Sequence, residues 1–161
     1  MTPTLDALSA TLGQALAARG WMLATAESCT GGWIAEAVTA TAGSSGWFDR
    51  GFVTYSNEAK VDMLGVSPAT LAAHGAVSEW TVCEMASGAL ARSRAQVAVA
   101  VSGVAGPAGG SADKPVGMVC LAWARHDCAP HAVTMRFPGD REAVRRQAVE
   151  HALRELIRLA A

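Results

Sequence analysis

The sequence has no uninterrupted run of the ~20 apolar residues that a bilayer-spanning helix requires, although hydrophobic residues make up 51% of it. No membrane partner is expected. It also lacks a CxxC pair. Cys29, Cys83, Cys120 and Cys128 are scattered, so they read as small core residues rather than a disulfide frame or a zinc site. His74, His126, His131 and His151 show no HExxH-type spacing, and no metal is expected. Neither sign of charge dominates: the formal net charge is −1, which argues against nucleic acid held by bulk electrostatics. Met1 to Asp6 has neither the basic nor the apolar region of a signal peptide, so the cytoplasm is the expected address. Two scarcities carry information. Of the 13 basic residues only Lys60 and Lys114 are lysines, and Tyr55 is the single tyrosine. Arginine does not give up its proton to act as a base, whereas lysine can.

What is present fits one domain over residues 1–161, because a single core commonly holds on the order of 100–200 residues. Leu5, Leu8, Leu12, Ala15 and Leu16 follow helical spacing and Gly20 suits a C-cap, predicting a helix over residues 4–19. Trp21 to Ala26 reads as a short strand, followed by a glycine turn and a helix from Trp33 to Thr41. Gly51 to Tyr55 reads as a second strand, with Ser56 or Asn57 capping a helix from Glu58 to Leu64. Pro68 suits the first turn of a short helix ending near Gly75, and Ser78 caps another that runs to about Arg92. Gln96 to Ser102 is apolar almost throughout, as in a strand covered on both faces. Val116 to Ala124 and His131 to Phe137 read as a hairpin around Arg125 to Pro130, and Asp140 opens the last helix. Helices and strands alternate early while the late strands are consecutive. This predicts an α/β fold, a three-layer α/β/α sandwich around a mixed, mainly parallel sheet.

Ligand sites in such sheets lie in the loops beyond the strand C-termini. Three chemistry-bearing segments fall there. Ser28 leaves a strand and precedes Thr30, Gly31 and Gly32 at a helix start, where backbone amides can meet an anion or a developing oxyanion. The plain alternative is that Ser28 or Thr30 only caps the helix. Cys29 is a rival nucleophile, but its side chain and that of its neighbour cannot both face one substrate. Lys60 sits in the first turn of its helix, where the dipole disfavours a cation. Burial there would lower its pKa toward that of a general base, and a solvated lysine is the plain alternative. Tyr55 can fill core space or orient Ser28 or Lys60 through its hydroxyl. Ser102 to Gly110 forms a glycine-rich loop able to wrap a phosphate or ribose, yet matches neither the Walker A nor the GxGxxG pattern. Lys114, Arg141, Arg145 and Arg146 could reach an anion, although a solvated loop position for the lysine and a solvated helix face with Glu142 and Glu150 pairings for the three arginines are the plainer readings.

The blocks Thr25–Gly32, Gly51–Lys60, Gly75–Glu79, Ser102–Gly110, Lys114–Gly117 and Phe137–Arg141 span nearly the whole chain in order. Together they resemble the CinA C-terminal domain family, with Ala108 small where relatives often carry a larger polar residue. The resemblance implies hydrolysis of nicotinamide mononucleotide to nicotinate mononucleotide and ammonia, a step in pyridine-nucleotide recycling. It carries the family's serine, tyrosine and lysine onto Ser28, Tyr55 and Lys60. The substrate is then expected to meet Thr30, Gly31, Gly32, Asn57, Ser102, Gly103, Gly106 and Arg141. No metal or organic cofactor is implied, and a homo-oligomer is. Two other functions compete: a nucleotide-binding regulatory module without turnover, of the competence and damage-inducible kind, and an amidase for another small amide.

Overall fold

The computed structural model describes residues 3–161; Met1 and Thr2, part of the segment read for a leader, lie outside them. Helix α1 (Leu5–Arg19) ends at Gly20 and leads to β1 (Leu23–Glu27), α2 (Trp33–Thr39) and β2 (Phe48–Val53). Three helices follow, α3 (Asn57–Leu64), α4 (Pro68–His74) and α5 (Glu79–Ala91), then strands β3 (Val97–Gly103), β4 (Met118–Arg125) and β5 (Cys128–Arg136), and finally α6 (Arg141–Ala160). The five strands lie in the order β2-β1-β3-β4-β5. Strand β1 pairs in parallel with β2 and β3, while β3–β4 and β4–β5 are antiparallel. Four strands therefore point one way and β4 alone is reversed. No helix of the described residues is long and apolar enough to cross a membrane.

Alternation along the strands sorts the two layers. One face carries Leu23, Val97, Val99, Val101, Val119, Leu121 and Trp123, packed under α1, α2 and α6. The other carries Ala24, Ala26, Ala98, Ala100, Cys120, Ala122 and Ala124, packed under α3 and α5. Because side chains in a strand alternate faces, a run such as VAVAV makes one bulky face and one flat one. Bulky residues hold the larger helical layer, and the alanine face lets α5 lie close to the sheet.

Several boundaries differ from the sequence-based expectation. β2 begins at Phe48 rather than Gly51, because an edge strand tolerates the polar Asp49 and Arg50, which pair with each other. It ends at Val53, so Thr54 and Tyr55 lie beyond the sheet. The hairpin turn is tighter than expected: Arg125 pairs with Cys128, and a register shift between Trp123 and Arg125 takes up the extra residue around Pro130. Proline is tolerated there because β5 is the sheet's edge.

The α3–α5 contact leaves no room for a side chain at Gly88, where a Cβ would lie 2.0 Å from the Leu64 carbonyl oxygen. Gly88→Ala should cost roughly 1–3 kcal/mol by overpacking. Differential scanning calorimetry should show a Tm several degrees lower; an unchanged Tm would mean that α3 is not held against α5 in this way.

Candidate active site

Strand β1 is flanked by β2 on one side and β3 on the other. Its C-terminal end is thus the switch point of the parallel portion, where a crevice opens between chains leaving in different directions. Ser28 follows β1 there, Tyr55 follows β2, and Ser102 and Gly103 end β3. These residues line a cleft of about 220 Å³, together with Cys29, Lys60, Ala76, Val77, Ala105 and Arg141.

Ser28 and Lys60 form the centre. The Ser28 amide donates to the Val101 carbonyl at 3.0 Å, which anchors the residue to β3. Lys60 is the fourth residue of α3, whose N-cap is Ser56 through a bond from the Ala59 amide. Its stem runs back toward the start of the helix, as helical side chains do, and only 1% of the residue is exposed. The ammonium donates to Ser28 Oγ at 3.0 Å and to the carbonyls of Thr54 at 2.9 Å and Tyr55 at 3.3 Å. The Ser56 carbonyl lies at 3.5 Å. Among the described residues Lys60 makes no ion pair with a carboxylate. Desolvation therefore dominates and holds its pKa below the ordinary lysine value. A buried amine with a lowered pKa and a serine hydroxyl at hydrogen-bond distance can act as base and nucleophile.

Cys29 is differently placed. It is buried, and desolvation pushes its thiol up to about 11. A thiol at that value is protonated near neutrality and is a poor nucleophile.

The turn after Ser28 is built around Glu27, a carboxylate that is 1% exposed. Its Oε1 accepts from the Thr30 hydroxyl at 2.6 Å and from the Ile34 amide at 2.8 Å, and its Oε2 accepts from the Ala35 amide at 3.1 Å. Helix α2 has no side-chain cap at Gly32, so Glu27 caps it from outside. The carboxylate occupies the positive end of the helix where a ligand anion was expected. Gly31 and Gly32, at φ +59° and +105°, provide the left-handed backbone that folds the turn onto Glu27. The Gly31 amide is spent on the Ser28 carbonyl at 3.0 Å. Among the described residues the Cys29, Thr30 and Gly32 amides have no acceptor in another residue; of the three residues Cys29 lines the cleft, so its amide is the donor the turn offers an oxyanion.

The other expected site residues divide. Ser28, Lys60, Tyr55, Ser102, Gly103 and Arg141 come together on the cleft, whereas Thr30, Gly31, Gly32, Asn57 and Gly106 are not among its lining residues. The Thr30 hydroxyl turns inward to Glu27, Asn57 is exposed, and the Gly106 carbonyl accepts from Arg141 at 2.8 Å. Tyr55 is not a core residue: 64% of it is exposed. Its hydroxyl meets the Arg141 guanidinium at 3.4 Å, and only its main-chain carbonyl touches Lys60. Lys114 fastens the glycine-rich loop to the His74 carbonyl. Glu27 and the wall residues Ala76, Val77 and Ala105 lie within the sequence's motif blocks but are not among the expected site residues. For Glu27 the available signal was an acid closing an apolar strand directly before a helix start. Among the described residues no three His, Cys, Asp or Glu side chains are grouped to hold a metal ion.

The fold and this cleft define an α/β protein with a buried serine–lysine pair at a sheet switch point. The family model of the CinA C-terminal domain matches residues 5–160, and the chain belongs to that family. Nicotinamide-nucleotide amidohydrolase PncC of Escherichia coli (strain K12) is 60% identical over 151 residues, 92% of this chain and 90% of that protein. The PncC protein of Pseudomonas putida is 51% identical over 155 residues, 96% of each chain. The crystal structure of the competence/damage inducible protein CihA from Agrobacterium tumefaciens matches with a TM-score of 0.96 at 49% identity, covering 100% of this chain and 99% of that one.

The placement of the cysteines makes a chemical prediction. Exposed Cys128 should react with iodoacetamide in the native protein at neutral pH, whereas Cys29 should react only after unfolding. Peptide mapping of partly alkylated protein reads this out, and early modification of Cys29 would contradict the assigned environment.

Proposed function

We propose that this protein is an amide hydrolase that converts nicotinamide mononucleotide to nicotinate mononucleotide and ammonia, with Ser28 as nucleophile and Lys60 as its base. The observation that carries the mechanism is the 3.0 Å contact between Lys60 Nζ and Ser28 Oγ in a buried setting without an acidic partner. The substrate follows from the activity named for the PncC relatives. The reaction also places the protein in pyridine-nucleotide recycling.

With Lys60 neutral, the contact reverses and the Ser28 hydroxyl donates to the amine. As Oγ adds to the carboxamide carbon, its proton passes to Lys60. Negative charge gathers on the carbonyl oxygen, and the Cys29 amide receives it. The Lys60 ammonium then protonates the departing nitrogen, the C–N bond breaks, and ammonia leaves a Ser28 ester. Water attacks that ester, Lys60 takes its proton and returns it to Ser28 Oγ, and the carboxylic product leaves. Tyr55 serves through its main-chain carbonyl, which helps hold Nζ, and through its ring at the cleft mouth.

The cleft is small for a mononucleotide. An adjoining cavity of about 470 Å³ shares Ala105 and Arg141 with it and extends past Pro107 and Val116. The reacting ring then occupies the smaller space, with the ribose phosphate toward the larger and Arg141 between them. Asp140 and Glu142 on the larger wall already cap the Ala143 amide and pair with Arg146.

Ammonia release from the mononucleotide tests this. Wild type should turn over, Ser28→Ala should lose activity to background, and Lys60→Ala should lose roughly 10²–10⁴-fold, the range for a positioned base. Cys29→Ala should stay within a few-fold of wild type. Activity kept in Ser28→Ala and lost in Cys29→Ala would overturn the nucleophile. Calorimetric binding without ammonia would favour the regulatory module, and turnover of other amides alone would change the substrate.

A further inference from the structure

We infer that Arg145, in the second turn of α6, is a positioning residue that sets the direction of the oxyanion-binding amide; the inference rests on Ser28 being the nucleophile. Its guanidinium donates from Nε to the Cys29 carbonyl and from Nη2 to the Thr30 carbonyl, both at 3.1 Å. A fork of two fixed donors thus grips two consecutive peptide units of the turn. The carbonyl and N–H of a planar trans peptide point in opposite directions. Drawing the Thr30 carbonyl toward Arg145 therefore sends the Gly31 N–H away from it, onto the Ser28 carbonyl at 3.0 Å. The peptide before Cys29 is fixed in turn. With the Ser28 carbonyl held by Gly31, the Cys29 N–H points the opposite way; it has no acceptor in another residue among the described ones, and Cys29 lines the cleft.

The grip is itself held. The guanidinium lies over the Trp33 ring at 5.3 Å from its centroid, and the Trp33 amide donates to the same Thr30 carbonyl at 3.0 Å. On the opposite side, Glu27 takes the Thr30 hydroxyl. Thr30 is pinned by side chain and main chain alike, while the glycines that follow it would otherwise let the peptide rotate. Arg145 does not line the cleft, and two of its donors are spent on the protein's own carbonyls. This distinguishes it from an arginine that holds a substrate phosphate. A lysine cannot replace the fork, because its ammonium is a point donor without the planar geometry.

The test is steady-state ammonia release by wild type, Ser28→Ala, Arg145→Ala, Arg145→Lys and Arg146→Ala, with Tm recorded for each. Misplacement of a transition-state donor should lower kcat by about 10–100-fold in both Arg145 variants. KM should stay within a few-fold of wild type. Millimolar guanidinium should partly restore Arg145→Ala but not Arg145→Lys, whose amine fills the site. Arg146, which pairs with Glu142 on the exposed face, should tolerate alanine. If Arg145→Ala does not fold, Arg145→Lys carries the comparison. A raised KM with unchanged kcat would make Arg145 a substrate contact and overturn the proposal, as would unchanged kinetics. Activity in Ser28→Ala would overturn the nucleophile and this inference with it. An inactive Ser28→Ala beside a fully active Arg145→Ala would overturn this inference alone.

Discussion

Burying the Lys60 amine beside Ser28, with no carboxylate to neutralise it, is the constraint around which this fold is arranged. An unpaired buried charge is costly, and here backbone carbonyls are its main acceptors. The chain leaves β2 at Val53 instead of extending the strand, which frees the carbonyls of Thr54, Tyr55 and Ser56 to turn toward Nζ. Ser56 then caps α3, the helix that brings Lys60 back to them. Those acceptors offset only part of the desolvation, so the pKa remains lowered. The unfolded chain consequently holds this proton more tightly than the folded one. Stability from this group rises with pH between the lowered value and the ordinary ~10.4 of lysine. Below that window the charged lysine works against the fold, which is the thermodynamic counterpart of its availability as a base.

The turn after β1 solves the opposite electrostatic problem. Glu27 is a buried anion, and the start of α2 offers the amide hydrogens that stabilise it. Spending the helix terminus on the protein's own carboxylate moves the oxyanion donor back to the turn itself, onto the Cys29 amide. Rigidity there comes from both sides, with Glu27 beneath and Arg145 across. The cation and the anion of the site are thus each satisfied mainly by backbone, and the Ser28 hydroxyl is held by the cation.

Most of the architecture was legible because its causes are local. Helical spacing and caps at Ser56, Ser78 and Asp140 located α3, α5 and α6, and the VAVAV run revealed a strand covered on both faces. Ser28 and Lys60 were legible as a strand–serine–glycine turn and a scarce residue in an awkward place. What escaped depends on contacts between distant segments. Nothing near Tyr55 says that its ring faces solvent and Arg141, since that follows from the end of β2. Arg145 looks like any exposed helix residue until α6 is packed against the Ser28 turn. Likewise, the start of β2 is hidden because an edge strand need not be apolar.

The central claim, that Lys60 can be neutral while next to Ser28, is open to direct measurement because the chain has only two lysines. Protein labelled with ¹³C at lysine Cε should give two titrating signals, assigned by a Lys60→Met variant. The Lys60 signal should titrate below the ordinary lysine range, with Lys114 as the internal comparison. A Lys60 signal titrating at about 10.4, the ordinary lysine value, would contradict it.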